Sequence, residues 1–197
     1  MIPVPKLHLP LEPFVIWENG FSTEEIDKII ALGELREFKK GTVGGNGIGS
    51  EVSDMVIRNT DITWIESAED THWLYERLLQ FVAQINHDKF QFDLHHIENL
   101  QYGKYKQDGH YTWHMDSGPN LPNHRKLSFV LGLSDPNSYE GGELQINVNG
   151  SCDAPHAMKI RKGDLIVFPS FMSHRVTPVT KGERMTLVTW AVGPKFK

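Results

Sequence analysis

Tyr111-Thr112-Trp113-His114-Met115-Asp116 reads as a stretch of β-strand, and the rest of the chain is read outward from it. On a strand, residues i and i+2 point to the same side, so His114 and Asp116 can reach one point in space. Two imidazoles and one carboxylate can occupy one face of an octahedral metal and leave the opposite face open. The second imidazole has no local spacing constraint, because a neighbouring strand can deliver it from anywhere in the chain. His174 is the candidate, reached directly from Gly163-Asp164-Leu165-Ile166-Val167-Phe168-Pro169-Ser170. A lone His-x-Asp carries little weight in a chain with 10 histidines. Here the weight comes from the order of the segments around it.

Beyond Asp88 the sequence turns to short β-rich segments: Phe90 to Tyr102, Leu127 to Leu133, Leu144 to Val148, Leu165 to Phe168 and Thr186 to Val192. Short strands separated by Gly and Pro turns point to a sandwich or barrel. Before Asp88 the pattern is helical. Phe14-Val15-Ile16-Trp17 reads as a short strand, and Ser22-Thr23-Glu24-Glu25 as a capping box that starts a helix running to about Arg36. A second helix is expected over about Ala68 to Asn86, with Leu74, Leu78, Phe81, Val82 and Ile85 as its core-facing stripe. The predicted fold is therefore mainly β with N-terminal helices: a double-stranded β-helix (jelly-roll, cupin-like) core braced by two helices. One domain over residues 1–197 is expected, with helical support over 14–87 and the β-helix core over about 50–65 and 90–193. Gly41, Gly44, Gly45, Gly47 and Gly49 make one loop flexible. It is either a plain connection or a mobile flap at a substrate entrance.

Composition bounds the function. The chain has 197 residues, with 20 basic and 25 acidic side chains and a formal net charge of −5. No Lys/Arg-rich run is present, so nucleic acid is not expected as a partner. The single cysteine, Cys152, rules out an intrachain disulfide and fits a reducing compartment. No segment approaches the roughly 20 apolar residues of a membrane span, and Met1-Ile2-Pro3-Val4-Pro5-Lys6 has no signal-peptide shape. A cytoplasmic protein with no membrane partner is expected. His95, His96, His110, His124 and His156 read as structural or surface groups.

Arg184, in Gly182-Glu183-Arg184-Met185-Thr186, adds a second kind of chemistry. A guanidinium fork behind a metal site can hold the far carboxylate of a 2-oxo acid by two charge-assisted hydrogen bonds. On a strand, Thr186 points to the same side and can add a weak hydrogen bond.

The ordered set Leu100-Gln101-Tyr102-Gly103-Lys104-Tyr105, Tyr111 to Asp116, Leu131-Gly132-Leu133-Ser134-Asp135, Gly141-Gly142-Glu143-Leu144, Gly163-Asp164, Phe168-Pro169-Ser170, His174-Arg175-Val176, Gly182-x-Arg184 and Trp190 resembles the Fe(II)/2-oxoglutarate-dependent oxygenases of the prolyl-4-hydroxylase-like family. Ile57-Arg58-Asn59-Thr60-Asp61-Ile62-Thr63-Trp64-Ile65 is similar to the first core strand of the hypoxia-sensing prolyl hydroxylases. The resemblance implies the same β-helix fold, with His114, Asp116 and His174 as catalytic iron ligands. It implies Fe(II), 2-oxoglutarate and O2 as cofactor and co-substrates, and it admits ascorbate as an accessory reductant. Arg184, Tyr105 and Thr186 would bind the co-substrate, with Tyr102 the rival of Tyr105. Arg58, Tyr111 and Trp190 would border the substrate. Relatives carry an Asp two residues after the arginine, where this chain has Thr60, so an inherited ion pair there is in doubt.

The implied activity is hydroxylation, most directly of a prolyl residue in a protein or peptide. Hydroxylation of a free amino acid or another small molecule is the alternative. A non-enzymatic metal- or ligand-binding jelly roll is the reading from a different class. Arg184 with Tyr105 discriminates against the last, because a mere metal binder has no need of a dicarboxylate clamp.

Overall fold

The computed structural model describes residues 12–43, 54–118 and 121–195. Two antiparallel sheets face one another. The major sheet runs in the order Val15–Trp17, Leu165–Pro169, Arg125–Gly132, Arg184–Val192, Leu100–Tyr105, Asp61–Ile65 and Lys39–Lys40, with His96–Ile97 added beside Arg184–Val192. The minor sheet runs His156–Met158, Leu144–Ile146, His174–Val176, His110–His114 and Arg58–Asn59. A two-stranded ribbon, Glu140–Gly141 with Val179–Lys181, lies apart from both. This is the double-stranded β-helix expected from the sequence.

Burial explains why the strand Arg125–Gly132 reads as an apolar run and not as an alternating one. Both of its faces are covered. Leu127, Phe129 and Leu131 pack with Ile26, Ile29, Leu74, Leu78 and Ile85 of the helices. Val130 faces the other way, into an inter-sheet core with Leu144, Ile146, Ile166 and Phe168. The helices thus cover the outer face of the major sheet, and the space between the sheets is left for the site.

The first helix, Thr23–Glu34, has the expected capping box: the Glu25 amide donates to Ser22 Oγ at 3.2 Å and the Ser22 amide donates to Glu25 Oε2 at 2.8 Å. The second helix spans His72–Ile85, shorter at its start than expected. The Thr71 hydroxyl accepts from the Ala68 amide at 2.8 Å and donates to the Glu66 carbonyl at 2.7 Å, which holds the preceding residues in a turn. Two further expectations need correction. Residues 90–99 are not one strand. The second helix runs on into a π-turn, Asn86–Phe90, closed by Asn86, whose side chain accepts from the Phe92 amide and donates to its carbonyl. Ile57 to Ile65 is not one strand either. Arg58–Asn59 pairs with the minor sheet and Asp61–Ile65 with the major one, so the chain crosses between sheets at the buried Thr60. The glycine loop expected over Gly41–Gly49 lies mostly outside the described residues. Among the described residues no helix is long and apolar enough to cross a membrane.

Gly33 illustrates how tightly helix and sheet meet. A Cβ there would come within 2.7 Å of the Tyr102 ring, which is itself fully buried. Alanine favours a helix interior by about 1 kcal/mol over glycine, but overpacking costs about 1–3 kcal/mol. Gly33→Ala is therefore expected to lower the urea unfolding midpoint, against its helix propensity. A raised midpoint would show that the helix can shift off the ring at little cost.

Candidate metal centre

His114 and His174 sit directly opposite one another on adjacent strands of the minor sheet. Their ring centroids are 4.1 Å apart. Each ring is oriented in the same way. Nδ1 of His114 lies 2.8 Å from the Thr112 carbonyl, and Nδ1 of His174 lies 2.9 Å from the Met172 carbonyl. A carbonyl can only accept, so Nδ1 carries the proton and Nε2 keeps its lone pair. Both Nε2 atoms face Asp116, at 3.7 Å from Oδ1 for His114 and 3.6 Å from Oδ2 for His174. The ligand atoms of the three residues lie within 4.8 Å of one another. Burial pushes the His114 imidazole far below its usual titration range, and His174 beside it adds to the effect. It therefore stands neutral, the form that can donate to a metal.

Asp116 reaches this point differently from the expectation. The strand ends at His114, so simple alternation does not deliver the carboxylate. The Asp116 and Ser117 amides both donate to the Ser170 carbonyl, at 2.9 and 3.0 Å, and this clamp turns the chain beyond the strand end. Ser128 Oγ donates to Asp116 Oδ2 at 2.7 Å and lies 3.0 Å from Ser170 Oγ. Burial alone would raise the Asp116 carboxyl, but the two imidazoles and the Ser128 hydroxyl hold it below the ordinary carboxylate range. The buried Trp190 indole N–H has no close hydrogen-bond partner but lies near enough to Asp116 to add to this lowering.

The triad opens into a cavity of about 200 Å³ that also reaches Arg58, Gln101, Tyr105, Arg184, Thr186 and Trp190. Arg184 is 2% exposed, and its Nη1 has no hydrogen-bond partner. It has no acidic partner among the described residues. It lies opposite Tyr105 in strand register, with its guanidinium carbon 4.9 Å from the Tyr105 ring centre. Tyr102, the rival tyrosine, is on the other face, where its hydroxyl donates to Glu34 Oε1 at 2.8 Å, away from the cavity. Tyr111 stacks on His114, with ring centres 3.5 Å apart and planes 13° from parallel. Arg125 covers the Trp190 ring at 3.7 Å and is held by Glu98 through two hydrogen bonds of 2.9 and 2.6 Å.

Apart from Tyr102, the residues singled out in the sequence for this site border one cavity. Several partners were not singled out. Ser128 was visible only as a polar residue on the inward side of an apolar strand. Gln101, Tyr139 and Gly142 sat within or beside quoted motifs without a role. Tyr139 lies beside Arg184, whose charge opposes the upward push of burial on its phenol. Gly142 has a positive φ of 61°, and a Cβ there would come within 3.0 Å of the Arg184 side chain. Gly142 therefore leaves room for the stem of the Arg184 side chain.

Residues 100–192 match the family model described as the 2OG-Fe(II) oxygenase superfamily. Over that stretch, a little under half of its length, the chain is similar to that superfamily. The chain is 28% identical over 174 residues to a PKHD-type hydroxylase of Idiomarina loihiensis, covering 87% of this chain and 74% of that one. It spans less than half the length of other bacterial PKHD-type hydroxylases that it matches. A prolyl-4-hydroxylase of Pseudomonas putida superimposes with a TM-score of 0.72 at 21% identity, over 92% of this chain and 93% of the other. A Trichoplax adhaerens prolyl hydroxylase, solved with a hypoxia-inducible-factor peptide fragment, gives a TM-score of 0.75 at 18% identity, over 91% and 83%. These structural likenesses establish a prolyl-4-hydroxylase-like fold. The superfamily implies Fe(II), 2-oxoglutarate and O2. The donor set of two imidazoles and one carboxylate suits Fe(II), and Arg184, with a free Nη1 and no acidic partner among the described residues, suits a dicarboxylate.

The Ser128 hydroxyl should be felt at the metal. Hydrogen bonds that orient a ligand typically matter by 10–100-fold in metal affinity. Ser128→Ala is expected to weaken Mn(II) or Fe(II) binding by about that range in an equilibrium titration, with the fold unchanged by circular dichroism. Unchanged affinity would show that the Ser170 clamp alone orients Asp116.

Proposed function

We propose that this chain is an Fe(II)- and 2-oxoglutarate-dependent hydroxylase whose substrate is a prolyl residue of a peptide, with residues 1–197 acting as one catalytic unit. His114, Asp116 and His174 would hold Fe(II). Arg184, Tyr105 and Thr186 would hold 2-oxoglutarate. Arg58, Tyr111 and Trp190 would border the substrate. The observation that carries the reading is Arg184: a buried cation with an unpartnered donor, in the same cavity as three metal-competent side chains. A buried unpaired charge is costly, and a site that keeps one is built for an anion.

Fe(II) with 2-oxoglutarate and O2 supplies an oxidant able to insert oxygen into an unactivated C–H bond, with 2-oxoglutarate converted to succinate and CO2. The protein's part is positioning and exclusion of water. Arg184 fixes the distal carboxylate and so sets the direction in which the 2-oxo end points, toward the triad. The Tyr105 ring beneath the guanidinium and the Gly142 backbone leave that side chain one place to lie. The apolar walls, including Trp190 and Val188, shield the reacting region from bulk water.

The prolyl substrate is supported by the PKHD-type relative and by the peptide complex of the Trichoplax neighbour. It is also supported by the partly exposed Trp64 and Met115 at the cavity, which offer apolar contact to a chain crossing its mouth. The test is 2-oxoglutarate turnover with proline-containing peptides and free amino acids, with ascorbate in the assay, read by mass spectrometry for one added oxygen. Oxidation of free amino acids alone would replace the peptide with a small molecule.

Breaking a buried charge pair by removing one partner costs about 3–5 kcal/mol. Arg184→Ala is therefore expected to raise the 2-oxoglutarate concentration needed for half-maximal turnover by about two orders of magnitude or more, while metal still binds. An unchanged requirement would remove Arg184 from the co-substrate site.

A further inference from the structure

Arg184 is not the only buried cation in the cavity. Arg58 is 8% exposed and also lines it. Its Nη1 donates to the Thr42 carbonyl at 3.2 Å and its Nη2 to Gln101 Oε1 at 2.6 Å, and its Nε has no partner. Both acceptors are neutral. No acidic side chain pairs with Arg58 among the described residues. The nearby acids are engaged elsewhere: Asp61 with Lys40 and Lys106, and Asp54 with the Val56 amide. A guanidinium has five N–H donors, and two neutral oxygens leave most of them unused.

The position of Arg58 is fixed. A Cβ on Gly41 would come within 2.5 Å of its Nε, so the side chain lies against bare backbone on that side. Its guanidinium carbon lies 4.7 Å from the centre of the Tyr111 ring, and Tyr111 stacks in turn on His114. The charge is thus within one aromatic ring of the metal-competent triad.

A count of charges in the loaded cavity then points to the substrate. Two positive charges of iron and the single charge of Asp116 leave one positive charge. The proximal carboxylate of 2-oxoglutarate cancels it, and the distal carboxylate cancels Arg184. Arg125 is already neutralised by Glu98. Among the described residues Arg58 alone is left over. We propose that Arg58 anchors an anionic group of the substrate: the molecule to be hydroxylated carries a carboxylate close to the carbon that reacts. The carboxylate belongs either to a free amino acid or C-terminal residue, or to an acidic side chain flanking the target in a peptide. This assignment presupposes the 2-oxoglutarate oxygenase reading of the cavity and names its substrate class.

The test is calorimetric binding to Mn(II)-loaded protein saturated with 2-oxoglutarate, using matched probes that differ only in charge. N-acetyl-proline is compared with N-acetyl-proline amide, and acetyl-Pro-Glu amide with acetyl-Pro-Gln amide. In the wild-type protein the charged member of at least one pair is expected to bind ten-fold or more tightly than its neutral partner, less so as salt rises. The first pair reports a terminal carboxylate and the second a side-chain one. Arg58→Met should erase that preference, and Arg58→Lys should keep part of it. The anchor is overturned if 2-oxoglutarate binds but neither pair discriminates, or if discrimination survives Arg58→Met. Failure of wild-type protein to bind 2-oxoglutarate at all would overturn the oxygenase reading and the anchor together. Should Arg58→Met not fold, the wild-type comparison and its salt dependence decide.

Discussion

The register that sets His114 across from His174 is the constraint on which the site depends. Each imidazole is locked to the carbonyl two residues before it, so the strands themselves aim both Nε2 atoms. A slip of one residue would turn one ring to the opposite face of the minor sheet. What prevents the slip is the neighbouring pairing. His174–Val176 is held on its other side by Leu144–Ile146, whose Leu144 and Ile146 are buried in the inter-sheet core. Apolar packing beside the site therefore fixes its polar geometry.

Much of this was legible in the chain. The triad, Arg184 and Tyr105 stand at fixed places in an ordered run of turns and strands, and the helices announce themselves by a capping box and an apolar stripe. The parts that were not legible depend on long-range contacts. Strand alternation was invoked for Asp116, yet the carboxylate is positioned by the Ser170 carbonyl, more than fifty residues away in sequence. Ile57 to Ile65 reads as one strand because its side chains suit either sheet, and only the pairing partners divide it at Thr60. The π-turn after Ile85 rests on the two hydrogen bonds that one asparagine makes to Phe92, a detail no periodicity carries. Ser128 is a single hydroxyl in an apolar strand, and nothing local distinguishes it from a tolerated polar residue.

The electrostatics of the cavity follow from the same arrangement. One carboxylate, Asp116, shares the cavity with two guanidinium groups that have no acidic partner among the described residues, Arg58 and Arg184, while a third, Arg125, is closed off by Glu98. Water cannot screen charges well in so enclosed a space. Each unbalanced arginine is supported in part by an aromatic face, Tyr111 under Arg58 and Tyr105 under Arg184. Such contacts contribute only about 0.5–2 kcal/mol, well short of a desolvated ion's cost. That deficit is one an anion in the cavity would offset.

The three metal-competent residues also tie the two sheets together. His114 and His174 belong to the minor sheet. Asp116 is anchored to the major sheet through Ser128, and to Ser170 at the end of the strand Leu165–Pro169. A metal held by all three would span the gap between the layers at the end where the apolar core gives out. Because an unfolded chain offers no such preformed set, the free energy of metal binding adds to that of folding. The open end of a jelly roll is ordinarily its weakest region, with fewer apolar contacts to close it. Here the residues that leave it open for a substrate are also the ones through which a metal would hold it shut against unfolding.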